Sequence, residues 1–222
     1  MIGPLQRLAH DYPYRSRLIH ANSMEFERLV EHCKPPQFLF YREAAPNVAI
    51  ELQSVLNFLS ISPKQKRFLD IGPAYGATRE LWIEQGGADW QYIERDLWCF
   101  HRLRLQGASG WHGDHFSILP KLPESSFDVV WCKGAITPHS PQFLLSKANR
   151  LRRWVQHAMR LVSPQGLLIL CPYWLTRDVD QHWFAKTLDE AGLQRTKPIP
   201  HHNSAVNYPV TWVYDRRQGS RP

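Results

Sequence analysis

The stretch Arg67-Phe68-Leu69-Asp70-Ile71-Gly72-Pro73-Ala74-Tyr75-Gly76 decides the fold, because it joins a short buried-strand pattern to a turn of small residues. Phe68, Leu69 and Ile71 read as a strand of a parallel sheet. Residues 77–84, with Leu81 and Trp82 apolar and glutamates on the exposed side, read as the helix that follows. Glycine is wanted between them for two reasons. It adopts dihedrals closed to most residues, and it lets a ligand approach the main-chain amides at a helix N-terminus.

The pattern continues downstream. Residues 90–93 fit a second strand that ends in Glu94-Arg95-Asp96, and a helical run over 97–105 follows. A carboxylate at the tip of the second strand, about 20 residues past a glycine turn, is where nucleotide-binding sheets hold ribose hydroxyls. Glu94 suits that role and Asp96 the N-cap of the next helix; the rival assignment exchanges the two. Next come Trp111-His112-Gly113-Asp114-His115, the turn Leu119-Pro120, and Ser125-Ser126-Phe127-Asp128-Val129-Val130. Residues 151–162 are amphipathic, with Leu151, Val155, Ala158, Met159 and Val162 on one side. Ser163-Pro164-Gln165-Gly166 reads as the stop before a buried strand over 167–170. A helix over 178–190 ending near Gly192, a strand over 194–199 and a last strand over 210–214 complete the series.

With those residues in order, Leu69-Asp70-Ile71-Gly72-x-Ala74-x-Gly76 resembles the first motif of class I S-adenosylmethionine-dependent methyltransferases, usually Asp-x-Gly-x-Gly-x-Gly. Ala74 stands in place of the middle glycine. Gly113-Asp114, the Leu-Pro turn and Ser-Phe-Asp-Val-Val resemble the family's third and fourth strands, and residues 161–166 are a variant of its Leu-Lys-Pro-Gly-Gly. The resemblance spans residues 67–215. It implies an α/β fold: a Rossmann-like, seven-stranded, mostly parallel sheet with an antiparallel last strand and helices on both faces. It implies S-adenosyl-L-methionine as cofactor, bound by Asp70, Gly72, Ala74, Tyr75, Gly76, Glu94, Arg95, Gly113, Asp114 and His115. In that scheme Asp70 helps hold the amino group of the methionine part, Asp114 accepts from the adenine amino group, and the His115 amide donates to a ring nitrogen.

Ligands of open α/β sheets lie beyond the carboxyl ends of the strands, so a methyl acceptor would meet the ends of strands four and five. Lys133 is the candidate for binding an acidic substrate, His139 for a general base, and Tyr173 and Trp174 for walls of the acceptor pocket. No Asn-Pro-Pro-Tyr or Asp-Pro-Pro-Tyr follows strand four, which weighs against amino-methylation of bases. His112, Asp114 and His115 are ligand types, yet no further His or Cys pair stands at a recognised metal spacing, and no metal site is expected.

The leading expectation is a methyltransferase acting on an O, N or C atom of a small molecule. Three alternatives stand beside it. Lys147, Arg150, Arg153 and Arg160 recur at helical spacing in a chain of net charge +7, which suits an RNA or DNA acceptor. Gly72, Ala74 and Ala77 loosely match the Gly-x-Gly-x-x-Gly of a nicotinamide-dependent oxidoreductase. Ala74 also fits a catalytically inactive methyltransferase-like binding module.

With 222 residues and 43% hydrophobic content, the chain can bury one full core. Residues 1–66 read as an N-terminal helical extension or cap, with helices over 24–33 and 47–59 and Asn47 as the cap of the second. Residues 67–215 form the main domain, and 216–222 a frayed polar tail. No apolar run reaches the ~20 residues that span a bilayer. Cys33, Cys99, Cys132 and Cys171 show no paired spacing and read as reduced thiols of a cytoplasmic protein.

Overall fold

The structure, a computed structural model, describes residues 15–135, 147–171, 184, 186–189 and 212–215. Three helices lead: α1 (Arg15–His20), α2 (Ser23–Cys33) and α3 (Pro36–Phe58). Then come β1 (Arg67–Ile71), α4 (Ala77–Glu84), β2 (Asp89–Glu94), α5 (Leu97–Leu105), β3 (Ser109–His112) and α6 (His115–Ile118). A 3-10 turn (Leu119–Lys121), β4 (Phe127–Lys133), α7 (Lys147–Leu161), β5 (Val162–Cys171) and β6 (Trp212–Asp215) follow.

Among the described residues the sheet has six strands, in the order β3-β2-β1-β4-β5-β6, where seven were expected. The first five pair in parallel, and β6 runs antiparallel to β5, with Leu168 opposite Tyr214. The strand expected over 194–199 lies outside the described residues, as do Gly192 and the tail over 216–222. Of the helix expected over 178–190, Phe184 and residues 186–189 are described as helical.

Alternation along each strand divides the core between two faces. Leu69, Ile71, Val130, Cys132, Leu168 and Leu170 point to one face and meet Leu151, Trp154, Val155 and Ala158 of α7. Phe68, Val129, Trp131 and Ile169 point to the other and meet Leu52, Val55 and Leu56 of α3, Trp82 of α4 and Leu103 of α5. Helices therefore cover both faces, and β1 lies between β2 and β4 with both neighbours parallel. This order brings the carboxyl ends of β1, β2 and β3 side by side.

Local chemistry sets the helix limits. Asn22 and Glu25 form a reciprocal capping box at the start of α2, which ends at Lys34 in the left-handed conformation just before the Pro35-Pro36 pair. The third leading helix, α3, is longer than the sequence suggested. It begins at Pro36, runs through Pro46, and holds Asn47 inside rather than at its cap. A proline inside a helix removes one hydrogen bond. Burial on both sides offsets that loss: Phe38 and Ala45 are buried before the proline, and Leu52, Val55 and Leu56 after it. The latter half of α3 thus belongs to the core of the sheet.

The Ser163-Pro164-Gln165-Gly166 segment also differs from expectation. It is not a turn ahead of the strand, because β5 starts at Val162, paired with Phe127, and the register shifts before Leu167 pairs with Val129. Pro164 and Gln165 stand exposed at this irregularity. Gly166 permits it, since a Cβ there would come within 2.7 Å of the Asp128 carbonyl oxygen.

Candidate functional site

Where β1 ends, the chain turns through three left-handed residues, Gly72 (φ 76°), Ala74 (φ 54°) and Gly76 (φ 87°). The two glycines are fixed by their surroundings as well as by their dihedrals. A Cβ on Gly72 would lie 2.8 Å from the Ala135 Cβ, and one on Gly76 would lie 2.4 Å from Leu103 Cδ2. Ala74 holds the same hand of backbone with a methyl group, at a cost of about 1–2 kcal/mol.

The Glu94 carboxylate faces this turn from the tip of β2. Its Oε2 accepts from the Ala74 amide at 2.9 Å, and its Oε1 accepts from the amides of Arg95 and Asp96 at 2.7 Å each. Asp96 instead caps α5 by accepting from the Cys99 amide at 3.0 Å. The two acids therefore divide the work, with Glu94 against the turn and Asp96 at the cap. Burial, reinforced by the charge of Asp96, pushes the Glu94 carboxyl up to about 7, and the three amides pull against that rise. Asp70 lies deeper still, 1% exposed, and accepts from the Thr78 hydroxyl in the first turn of α4. Its carboxyl is pushed up to about 8, chiefly by burial; Thr78 opposes the rise and Glu94 adds to it.

Beside Glu94, its own carbonyl accepts from the Gly113 amide at 2.9 Å, which ties the ends of β2 and β3 together. Asp114 caps α6 through the Phe116 amide at 3.2 Å. His115 is held at both ring nitrogens. Trp154 Nε1–H donates to Nδ1 at 2.7 Å, so the proton sits on Nε2, which donates to the Ala135 carbonyl at 3.3 Å. Burial pushes this imidazole down to about 4 against the pull of Asp114, so it is neutral at pH 7. Arg95 is exposed, and its carbonyl oxygen is hydrogen-bonded to His112 Nε2 at 3.2 Å.

Tyr75 packs against the cluster formed by the leading helices and α5. Its ring lies under the Arg102 guanidinium, 3.5 Å from the central carbon, and tilts against Phe38 of α3 at 5.5 Å between centroids. Its aromatic face is thus occupied by Arg102. Sequence reasoning missed Arg102, Thr78 and Trp154. Of these, Thr78 alone left a signal, a hydroxyl at the second residue of the helix after the glycine turn.

No family model matches this sequence, and neither does any curated protein. Solved structures do match. A SAM-dependent methyltransferase from Archaeoglobus fulgidus superposes with a TM-score of 0.57 at 14% identity, over 81% of this chain and 98% of that one. One from Aquifex aeolicus gives 0.55 at 14% identity, over 73% and 87%. A protein assigned as an S-adenosylmethionine-dependent methyltransferase from Methanococcus maripaludis gives 0.58 at 12% identity, over 88% and 93%. The chain has the class I methyltransferase fold.

Lys133, expected to bind an acidic substrate, stands at the end of β4, and the structure changes its reading. Its ammonium forms an ion pair with Glu51 of α3, and the two side chains are only 16% and 11% exposed. Burial lowers the Lys133 pKa. Lys133 is therefore a partly buried, paired cation rather than a lone charge awaiting an acid, and Glu51 is a partner that no local pattern announced. His139, Tyr173 and Trp174 lie outside the described residues. On α7, Arg160 is withdrawn from the basic face: its guanidinium donates to the carbonyls of Leu119, Pro120 and Leu122 and meets Glu124 at 3.5 Å. The cysteines Cys33, Cys99, Cys132 and Cys171 are free thiols, and no helix among the described residues is long and apolar enough to cross a membrane.

Proposed function

We propose that this chain binds S-adenosylmethionine across the ends of β1, β2 and β3 and transfers its methyl group to an O, N or C atom of a small molecule. The observation that carries this reading is the Glu94 carboxylate, directed at the glycine turn and tied by its own main chain to Gly113. In the proposed arrangement the backbone of the 72–76 turn meets the amino-acid part of the cofactor and Glu94 accepts from the ribose hydroxyls. Asp114 and the His115 amide read the adenine edge, and Arg95 lies alongside. A carboxylate has about four acceptor sites, so Glu94 keeps capacity beyond its three amides.

Asp70 serves this site by anchoring the turn through Thr78, with any contact to the methionine amino group made through water. When bound, the cofactor supplies an electrophilic methyl on a sulfonium. The protein's tasks are to align it, exclude water and, for a protonated acceptor, take up a proton. His139 remains the candidate base, and Tyr173 and Trp174 the candidate acceptor walls. The diversion of Arg160 to three carbonyls thins the basic stripe of α7 and favours a small molecule over RNA or DNA.

Isothermal titration with S-adenosylhomocysteine tests the reading. Wild-type protein should give a saturable heat that Gly72→Arg abolishes, because no side chain fits beside Ala135 at that backbone conformation. A folded wild-type protein that shows no heat, or that instead alters NADH fluorescence, would overturn it.

A further inference from the structure

The turn that follows β1 is an expensive piece of backbone. Three of its five residues are left-handed, and one of those is alanine. Such a conformation persists only where its surroundings over-determine it. Two side chains from different elements hold adjacent residues of this turn. Glu94, at the end of β2, accepts from the amide of Ala74. Arg102, in α5, donates from Nη1 to the carbonyl of Tyr75 at 2.7 Å.

Arg102 is itself fixed. The same nitrogen donates to Gln106 Oε1 at 2.9 Å, the far nitrogen lies 4.0 Å from Glu80 of α4, and the plane of the guanidinium covers the Tyr75 ring at 3.5 Å. Its side chain is 14% exposed. The absent Cβ of Gly76 is what lets α5 come this close, since that atom would meet Leu103 at 2.4 Å and Arg102 Nη1 at 3.9 Å. A planar fork that hydrogen-bonds a carbonyl while stacking on the ring of the same residue is something lysine cannot reproduce.

From this geometry we infer that Arg102 is a positioning residue of the cofactor site: it locks the carbonyl and ring of Tyr75 so that the backbone of the 72–76 turn is set for the amino-acid end of the cofactor before it arrives. The inference rests on the proposed function. It goes further by naming a residue that touches no substrate and by assigning its effect to one end of the cofactor. Locking the turn in advance removes an ordering cost from binding. That gain is confined to whatever the turn contacts. The nucleoside end faces Glu94, which keeps the amides of Arg95 and Asp96 whatever happens at position 102.

The test compares two probes by titration calorimetry, S-adenosylhomocysteine and 5′-methylthioadenosine, which lacks the amino-acid part. Arg102→Met should weaken the first about tenfold, the equivalent of one charge-assisted hydrogen bond, and the second by less than about twofold. Arg102→Lys, which keeps the charge but not the fork, should fall nearer to Met than to wild type. It also serves as the probe should the Met variant fail to fold. Asn22→Ala, which removes the capping box of α2, is a control that lowers the melting temperature while leaving both affinities alone. Equal weakening of the two probes would reduce Arg102 to general stabilisation and overturn the inference, as would unchanged affinity for both. Absence of binding by wild-type protein would instead overturn the proposed function.

Discussion

Raising the pH from 6.5 to 8.5 should loosen the unliganded protein. Asp70 and Glu94 are buried at the ends of β1 and β2, with carboxyls pushed up to about 8 and about 7. An acid raised in this way holds its proton more tightly folded than unfolded. Its stabilisation is complete below about pH 4 and is lost as the pH climbs to the folded value. The buried His115, lowered to about 4, has the opposite slope, as do His101 and His157, which burial also lowers. Their contribution is half-way to its limit at the ordinary imidazole value of about 6.5 and levels off about one pH unit above it. Across the interval from pH 6.5 to 8.5 the carboxyls still dominate. Integrating their titrations over that window gives about 1 kcal/mol for Glu94 and about 2 kcal/mol for Asp70. For a chain of this size, a loss of that order lowers the melting temperature by roughly 5–10 °C. Thermal melts by circular dichroism at constant ionic strength read it directly. Asp70→Asn keeps an acceptor for the Thr78 hydroxyl and removes the charge, so it should flatten about two thirds of the slope and stabilise the protein at pH 8.5. A melting temperature that is flat or rising across the window, or an Asn variant with the full slope, would mean that Asp70 and Glu94 do not hold their protons in the folded state.

Three other outcomes are expected. Gly76→Ala places a methyl group against Leu103 at a left-handed position, which should cost about 2–4 kcal/mol in denaturant melts. Arg160→Ala unpairs three carbonyls around the 3-10 turn and should cost about 2 kcal/mol, with hydrogen exchange at residues 119–122 quickened ahead of the rest. Glu51→Gln and Lys133→Met should couple by about 1–2 kcal/mol in a double-mutant cycle of chemical denaturation. Independent effects would mean that the ion pair is not a working contact.

What the sequence made legible and what it hid divide along chain separation. The limits of α4 and α5, the glycine turn and the cap at Asp96 each depend on residues within a few positions of one another, where propensity and spacing act directly. Asp96 shows why the choice between the two acids was open. A carboxylate two residues from another has the same local pattern, and only the fold aims Glu94 at Ala74, 20 residues earlier. The contacts that give the site its shape span longer gaps still. Tyr75 to Arg102 is 27 residues, Trp154 to His115 is 39, and Glu51 to Lys133 is 82. None has a periodicity to betray it.

The helix expected over 47–59 is there, but its start was misplaced for a related reason. Pro46 followed by Asn47 is a strong local signal for a helix start, and it is overridden by burial of Phe38 on one side and Leu52, Val55 and Leu56 on the other. That override bears on the site. An uninterrupted α3 links Phe38, against Tyr75, to Glu51, against Lys133, so one helix touches both the 72–76 turn and the end of β4. A strain placed at either end has a direct mechanical route to the other. Replacing Pro46 by alanine, which restores the missing hydrogen bond, should therefore stiffen α3 and slow hydrogen exchange at its centre. Unaltered exchange there would show that α3 already behaves as a single rigid rod.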